Sequence, residues 1–153
     1  CGKGGDIFTF LMEMEGMEFP EALRVLAERA GVALTRETPQ AHSERTHLLA
    51  LLEAATRFYE TQLGNHSEVG EYLKGRGLTG QTAKHFRVGF APDQWDGLLN
   101  YLAGKGYRTQ EAEKVGLAVG SHDRFRKRIM FPLADAAGRI VGFTGRIFGE
   151  TPE

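Results

Sequence analysis

The chain has a single cysteine, Cys1, among its 153 residues, and no run of apolar residues long enough to matter to a membrane. One cysteine excludes an internal disulfide and points to a reducing, cytoplasmic compartment. A bilayer span needs about 20 apolar residues, and the first residues lack the basic-then-apolar order of a secretory signal, so no membrane partner is expected. The five histidines, His42, His47, His66, His85 and His122, are scattered without the spacing of metal ligands and read as surface or packing residues. Net charge is also scarce, at −1, which argues against a general polyanion-coating protein. A monomer is expected.

What charge there is lies unevenly. Between Ser121 and Arg146, six basic side chains (Arg124, Arg126, Lys127, Arg128, Arg139, Arg146) face only Asp123 and Asp135, a balance of +4. From Cys1 to Ala30 three basic side chains face six acidic ones, a balance of −3. Such asymmetry fits either a local anion site or a solvated basic face.

The pattern is mostly helical. Asp6 stands where an N-cap belongs before "IFTFLMEMEG", and "FPEALRVLAERAGV" opens on Pro20 and stops at Gly31. These two amphipathic helices are too small to close a core by themselves. "TRETPQAHSERTH" is polar, holds Pro39 and has no apolar period, which predicts a linker. Helices are then predicted in "LLALLEAATRFYETQLG", "SEVGEYLKGRGL", "TGQTAKHF", "WDGLLNYLAGKG" and "TQEAEKVG", with "FAPD" as a turn. After Gly120 the character changes: "RFRKRIMFPLAD" and "RIVGFTGRIFG" are strand-like and are joined by "AAG", with Gly138 in the left-handed position of a hairpin loop. The expected class is α+β, mainly helical, with an antiparallel hairpin near the end.

If Asp135 and Arg139 flank a three-residue loop, an unbroken ladder sets Phe131 opposite Phe143, Leu133 opposite Val141 and Arg128 opposite Arg146. One face then carries Arg124, Arg126, Arg128 and Arg146 over the low floor of Gly142 and Thr144. Like charges across a strand pair repel, so this face suits an anion such as a phosphate backbone. The other reading pairs these arginines with glutamates of the helical part. Trp95 and Phe90 admit two readings, a base-stacking surface or a turn anchored into a helical core, and the latter is expected.

"YLKGRGLTGQTAKHFRVGFAP", "WDGLLNYL", "DRFRKRIMFPLAD" and "GRIVGFTGR" closely resemble bacterial replicative DNA primases, and "CGKGGDIFTFLMEMEGMEFPEALRVLAERAGV" resembles the segment before their polymerase core. The resemblance implies three parts: the end of a zinc-binding domain over residues 1–34, a linker over 35–47, and the N-terminal subdomain of the RNA polymerase core over 48–153. It implies that Cys1 is the last of a Cys, His, Cys, Cys zinc ligand set followed by Gly-x-Gly-Gly-Asp, here an incomplete site. It further implies that Arg76, Arg124, Arg126, Arg128 and Arg146 hold single-stranded DNA template. The glutamate and Asp-x-Asp motifs that bind magnesium or manganese in the family are not present, so no residue is expected to be catalytic. Glu68, Glu71, Glu111 and Glu113 have the spacing of solvated helix faces. Ribonucleotides and a replicative helicase would be met through other regions of the family's proteins. Two departures from the family pattern stand out: His122 in place of Tyr, and Thr144 in place of Gly, which would narrow the groove floor. The activity implied is synthesis of short RNA primers by the full-length enzyme. The rivals are a non-catalytic single-strand-binding module of a phage or plasmid replication protein, and a partner-docking helical array over 48–119.

Overall fold

The computed structural model describes residues 4–33 and 38–149, so Cys1 lies outside the described residues. The chain divides into two compact units, Cys1–Pro39 and Gln40–Glu153.

In the first unit, helix α1 spans Ile7–Glu15 and helix α2 spans Phe19–Arg29. The Asp6 carboxylate accepts a hydrogen bond from the Thr9 amide at 2.9 Å, as the sequence predicts, and Gly16 closes α1 in the left-handed conformation. Among the described residues of this unit the buried ones are Leu11, Ala22 and Ala27, with Phe8 and Phe19 ring to ring at 5.5 Å. A core this thin fits the expectation that these helices need further contacts.

The second unit opens with helix α3, Pro39–Asn65, followed by α4 (Ser67–Gly75), α5 (Gly80–His85), strand β1 (Gly89–Ala91), α6 (Gly97–Ala103) and α7 (Thr109–Lys114). Two short strands, β2 (Ala118–Val119) and β3 (His122–Asp123), precede the long β4 (Arg128–Ala134) and β5 (Ile140–Ile147). The class is mixed, mainly helical with a small antiparallel sheet. No helix among the described residues is long and apolar enough to cross a membrane.

Residues 39–47 are helical, not part of a linker. The polar half of α3 is stabilised across a gap in sequence: His47 Nε2 lies 3.0 Å from Glu111, the Glu44 carboxylate pairs with Lys114, and the His47 and Tyr107 rings meet at 5.1 Å. An apolar period could not reveal a helix whose tertiary partners are polar. From Leu51 onward α3 reads as expected, burying Leu51, Leu52, Ala55, Phe58 and Tyr59.

The sheet order is β1-β4-β5, antiparallel throughout. On one face Met130 and Ile140 join Leu51, Phe58 and Tyr59 of α3 with Leu98 and Leu102 of α6. On the other, Ile129 and Phe90 pack with Val69 and Leu73 of α4. Burial of each such side chain stabilises by about 1.5–3 kcal/mol. Strand β1 replaces the predicted turn at "FAPD": three buried residues are too short a run to show alternation. Gly89 is required there because a Cβ would stand 2.4 Å from Tyr59 Cβ and 2.6 Å from its backbone carbon.

The hairpin loop forms as predicted. Asp135 donates its amide to Arg139 O at 2.9 Å, Gly138 takes φ +76°, and the Asp135 carboxylate accepts from the Ala137 and Arg139 amides. The ladder beyond it does not. Ala134 pairs with Ile140 but Leu133 pairs with Gly142, so Val141 is the extra residue of a β-bulge. Every later partner moves by one: Phe131 faces Thr144, Pro132 faces Phe143, and Arg128 faces Ile147 rather than Arg146.

Candidate nucleic-acid interface

The bulge changes which arginines share a face. Arg146 stands opposite Ile129, on the α4 side of the sheet, while Arg128 shares the opposite side with Met130 and Gly145. The predicted repulsive pair does not exist. Lys127 adds a second change: its φ of +51° is the left-handed region, so β4 begins only at Arg128 and Arg124 and Arg126 precede the strand instead of extending it.

Contacts at the strand ends place these side chains one by one. The Phe148 amide donates to Lys127 O at 2.9 Å, which ties the end of β5 to the start of β4. The Phe148 ring meets Tyr72 edge-on at 5.4 Å, and the Arg76 guanidinium lies over the Tyr72 ring at 5.3 Å. Arg76 therefore stands at the C-cap of α4 beside the segment that carries Arg126, Lys127 and Arg128, with Arg146 two residues from Phe148. Arg128 Nη1 donates to Gly145 O at 3.2 Å, and its stem crosses Gly145, where a Cβ would lie 3.2 Å from Arg128 Cδ. The glycine is the space the arginine uses.

On the other flank, Arg126 lies 4.3 Å above the Trp95 ring, and His122 stacks on that ring at 4.5 Å with planes 30° apart. Trp95 is 56% exposed, against the expectation of an anchored core residue, whereas Phe90 is buried at 3% as expected. Arg124 is exposed and donates its amide to Leu117 O at 2.9 Å, which keeps it next to Gly116. The exposed Trp95 is the functional candidate that sequence reasoning set aside; its signal was the neighbouring Pro and Asp residues, which mark a surface loop as readily as an anchored one.

The electrostatics separate two kinds of arginine. Arg57, Arg87 and Arg139 are each in a salt bridge with a carboxylate. Among the described residues, Arg76, Arg124, Arg126, Arg128 and Arg146 are in none, so the alternative pairing with helix glutamates is not what the structure contains. The candidate carboxylates are engaged elsewhere: Glu71 pairs with Lys74, Glu111 accepts from the Arg108 amide and His47, and Glu113 accepts from the Gly120 amide at 3.4 Å. Asp123, the acid between His122 and Arg124, is buried and accepts from the Leu98 and Leu99 amides at 2.8 and 3.1 Å. Burial pushes its carboxyl above the ordinary range, and the two amides oppose that shift. A guanidinium with no carboxylate partner beside an exposed indole, as Arg126 is beside Trp95, can take a phosphate oxygen while the aromatic group meets a base.

Among the described residues no group of three or more His, Cys, Asp or Glu side chains could hold a metal ion.

Known proteins resemble this chain in sequence and fold. Residues 58–153 match the family model of the DNA primase catalytic core, N-terminal domain, and residues 1–42 match that of the CHC2 zinc finger. The DNA primase of Pseudomonas aeruginosa is 41% identical over 166 residues, covering 98% of this chain and 25% of its own length. The chain thus spans about a quarter of that relative. A solved DnaG primase catalytic domain bound to single-stranded DNA superposes with a TM-score of 0.66 at 34% identity, over 72% of this chain and 38% of the other. The zinc-binding and RNA polymerase domains of the Aquifex aeolicus primase match with a TM-score of 0.66 at 28% identity, over 100% of this chain and 38% of the other.

Proposed function

The chain belongs to the DNA primase family through the N-terminal domain of the catalytic core, and on that premise we propose that it grips single-stranded template for a longer primase that makes short RNA primers. The observation that carries this reading is that five arginines are salt-bridged to no described carboxylate, with Arg126 over the exposed Trp95 and Arg76 reaching the end of β5 through Tyr72 and Phe148. Arg76, Arg124, Arg126, Arg128 and Arg146 take backbone phosphates, and Trp95 offers a face to a base. Cys1 takes a place in the zinc ligand set of the CHC2 finger. Phosphoryl transfer needs clustered carboxylates holding magnesium or manganese, so chemistry, ribonucleotides and the helicase partner belong to other parts of the longer protein. The likeness to bacterial primases along nearly the whole chain favours this over a phage or plasmid binding module.

The test is titration of the chain with an oligothymidylate at several salt concentrations. Binding whose logarithm falls linearly with log salt, with a slope of about −0.7 per phosphate engaged, supports the reading. No detectable affinity at low salt overturns it and favours the helical array as a protein-docking surface.

A further inference from the structure

Asp123 is the buried charged residue among those described, at 5% exposure, and its position is unusual for what it holds. Helix α6 has Asp96 at its N-cap, yet the Asp96 side chain makes no capping bond. The cap comes from 27 positions further along the chain: Asp123 Oδ2 accepts from Leu98 N and Oδ1 from Leu99 N. The same residue donates its own amide to Trp95 O at 2.8 Å. One side chain and one amide thus fasten residues 95–99 at three points.

The neighbours of Asp123 in sequence are the groups that touch Trp95. His122, immediately before it, stacks on the indole, and Arg126, three residues after it, lies over the ring. Lys127 completes the bracket by donating its amide to Pro92 O at 3.4 Å, at the start of the Trp95 loop. The loop 92–96 has no strand or helix of its own, so the orientation of Trp95 rests on these bonds.

We propose that Asp123 is a positioning residue for base stacking, fixing the Trp95 indole against His122 and Arg126 so that the template meets a preset aromatic face. The inference rests on the template-binding reading above and adds a residue that touches no nucleic acid. Asp123→Asn keeps the shape but leaves one of the two α6 amides facing a donor instead of an acceptor.

Trp95 is the only tryptophan, so its fluorescence reports the site directly. In Asp123→Asn we expect the Trp95 emission of the free protein to shift, its quenching by an oligothymidylate to fall away, and affinity to drop about tenfold, as for loss of one base stack. The salt slope stays unchanged, because the phosphate contacts remain. Trp95→Ala should lose the same affinity with the same slope. Asp96→Asn, which removes a nearby charge but no capping bond, should alter neither readout; a loss equal to that of Asp123→Asn would make the effect one of charge and overturn the proposal. If Trp95→Ala weakens binding while Asp123→Asn keeps wild-type emission and affinity, positioning is overturned and template binding stands. If the wild-type chain does not bind, both fall. Should Asp123→Asn fail to fold, hydrogen exchange at the Leu98 and Leu99 amides of the wild-type chain decides: slowing on addition of the oligothymidylate supports the coupling, and unchanged rates overturn it.

Discussion

Arg87 and Arg146 carry the same guanidinium on the same small sheet unit and do opposite things. Arg87, just before β1, reaches α3 and is held by two carboxylates: Nη1 and Nη2 donate to Glu53 at 2.7 and 3.0 Å, and Nε and Nη2 donate to Glu60, each at 3.0 Å. This clamp keeps a non-glycine residue at φ +54°, a conformation that costs on the order of 1 kcal/mol. Arg146, at the far end of β5, has no carboxylate partner among the described residues and stands exposed opposite Ile129. The difference teaches that a guanidinium's role is set by whether the fold brings acids to it. Where it does, arginine is a strut; where it does not, the charge is left for a ligand.

The comparison can be broken most severely from the strut side. Gly89→Ala would drive a Cβ into the backbone of Tyr59, which cannot step aside, and should cost about 3 kcal/mol in urea denaturation. By contrast Gly145→Ala meets only side chains, Met130 Sδ at 3.0 Å, Arg128 Cδ at 3.2 Å and Phe125 Cδ1 at 3.3 Å, and should cost about 1 kcal/mol while displacing Arg128 and weakening oligonucleotide binding. Equal destabilisation by the two would erase the contrast between a position closed by backbone and one bounded by side chains.

Arg87→Ala comes next. Hydrogen bonds to charged groups contribute about 1.5–3 kcal/mol, but the Arg87, Glu53 and Glu60 side chains are 31–37% exposed, so solvent screening lowers the expected loss to about 1 kcal/mol. Affinity for single-stranded DNA should not move. Acid sharpens the point. The Arg87 guanidinium holds the Glu53 carboxyl below its ordinary 4.5, so the unfolded chain binds protons there more readily than the folded one. The stability this supplies is present above about pH 4.5 and is lost as pH falls through the lowered value. Urea midpoints measured from pH 7 to 3 should fall less steeply in Arg87→Ala than in the wild type, and parallel curves would deny the clamp its role.

The smallest effect on stability belongs to Arg146→Ala. With no carboxylate and no opposing arginine to lose, its melting temperature should stay within about 1 °C of wild type. Its effect lies in binding: the salt slope for single-stranded DNA should flatten by about 0.7, uniformly across sequences. A destabilised Arg146→Ala with unchanged affinity would place Arg146 with Arg87 and dissolve the distinction.

Much of the chain is legible in its residues. Local chemistry marks the cap at Asp6, the stop at Gly31 and the hairpin loop with Gly138, because each depends on neighbours within a few residues. The helical reach of residues 39–47 was hidden, since Glu44 and His47 find Lys114 and Glu111 from across the unit. The candidate site is half legible: Arg124, Arg126, Arg128 and Arg146 stand out by charge and Arg76 by resemblance alone, and a ladder counted from the loop sets the strand partners one residue out of register. A bulge at Val141 carries no composition signal, and a one-residue slip sends Arg128 and Arg146 to opposite faces.

Residue types and their local spacing by themselves determined a mainly helical chain ending in a hairpin, a basic segment between Ser121 and Arg146, and likeness to the primase core. They could do so because caps, turns and periodicity are short-range properties. Only the tertiary structure decided which arginines are struts and which are free, that Trp95 faces outward, and that Asp123 fastens its loop. Those outcomes depend on which distant groups the packed sheet and helices bring within about 3 Å of one another, the range over which hydrogen bonds and ion pairs form.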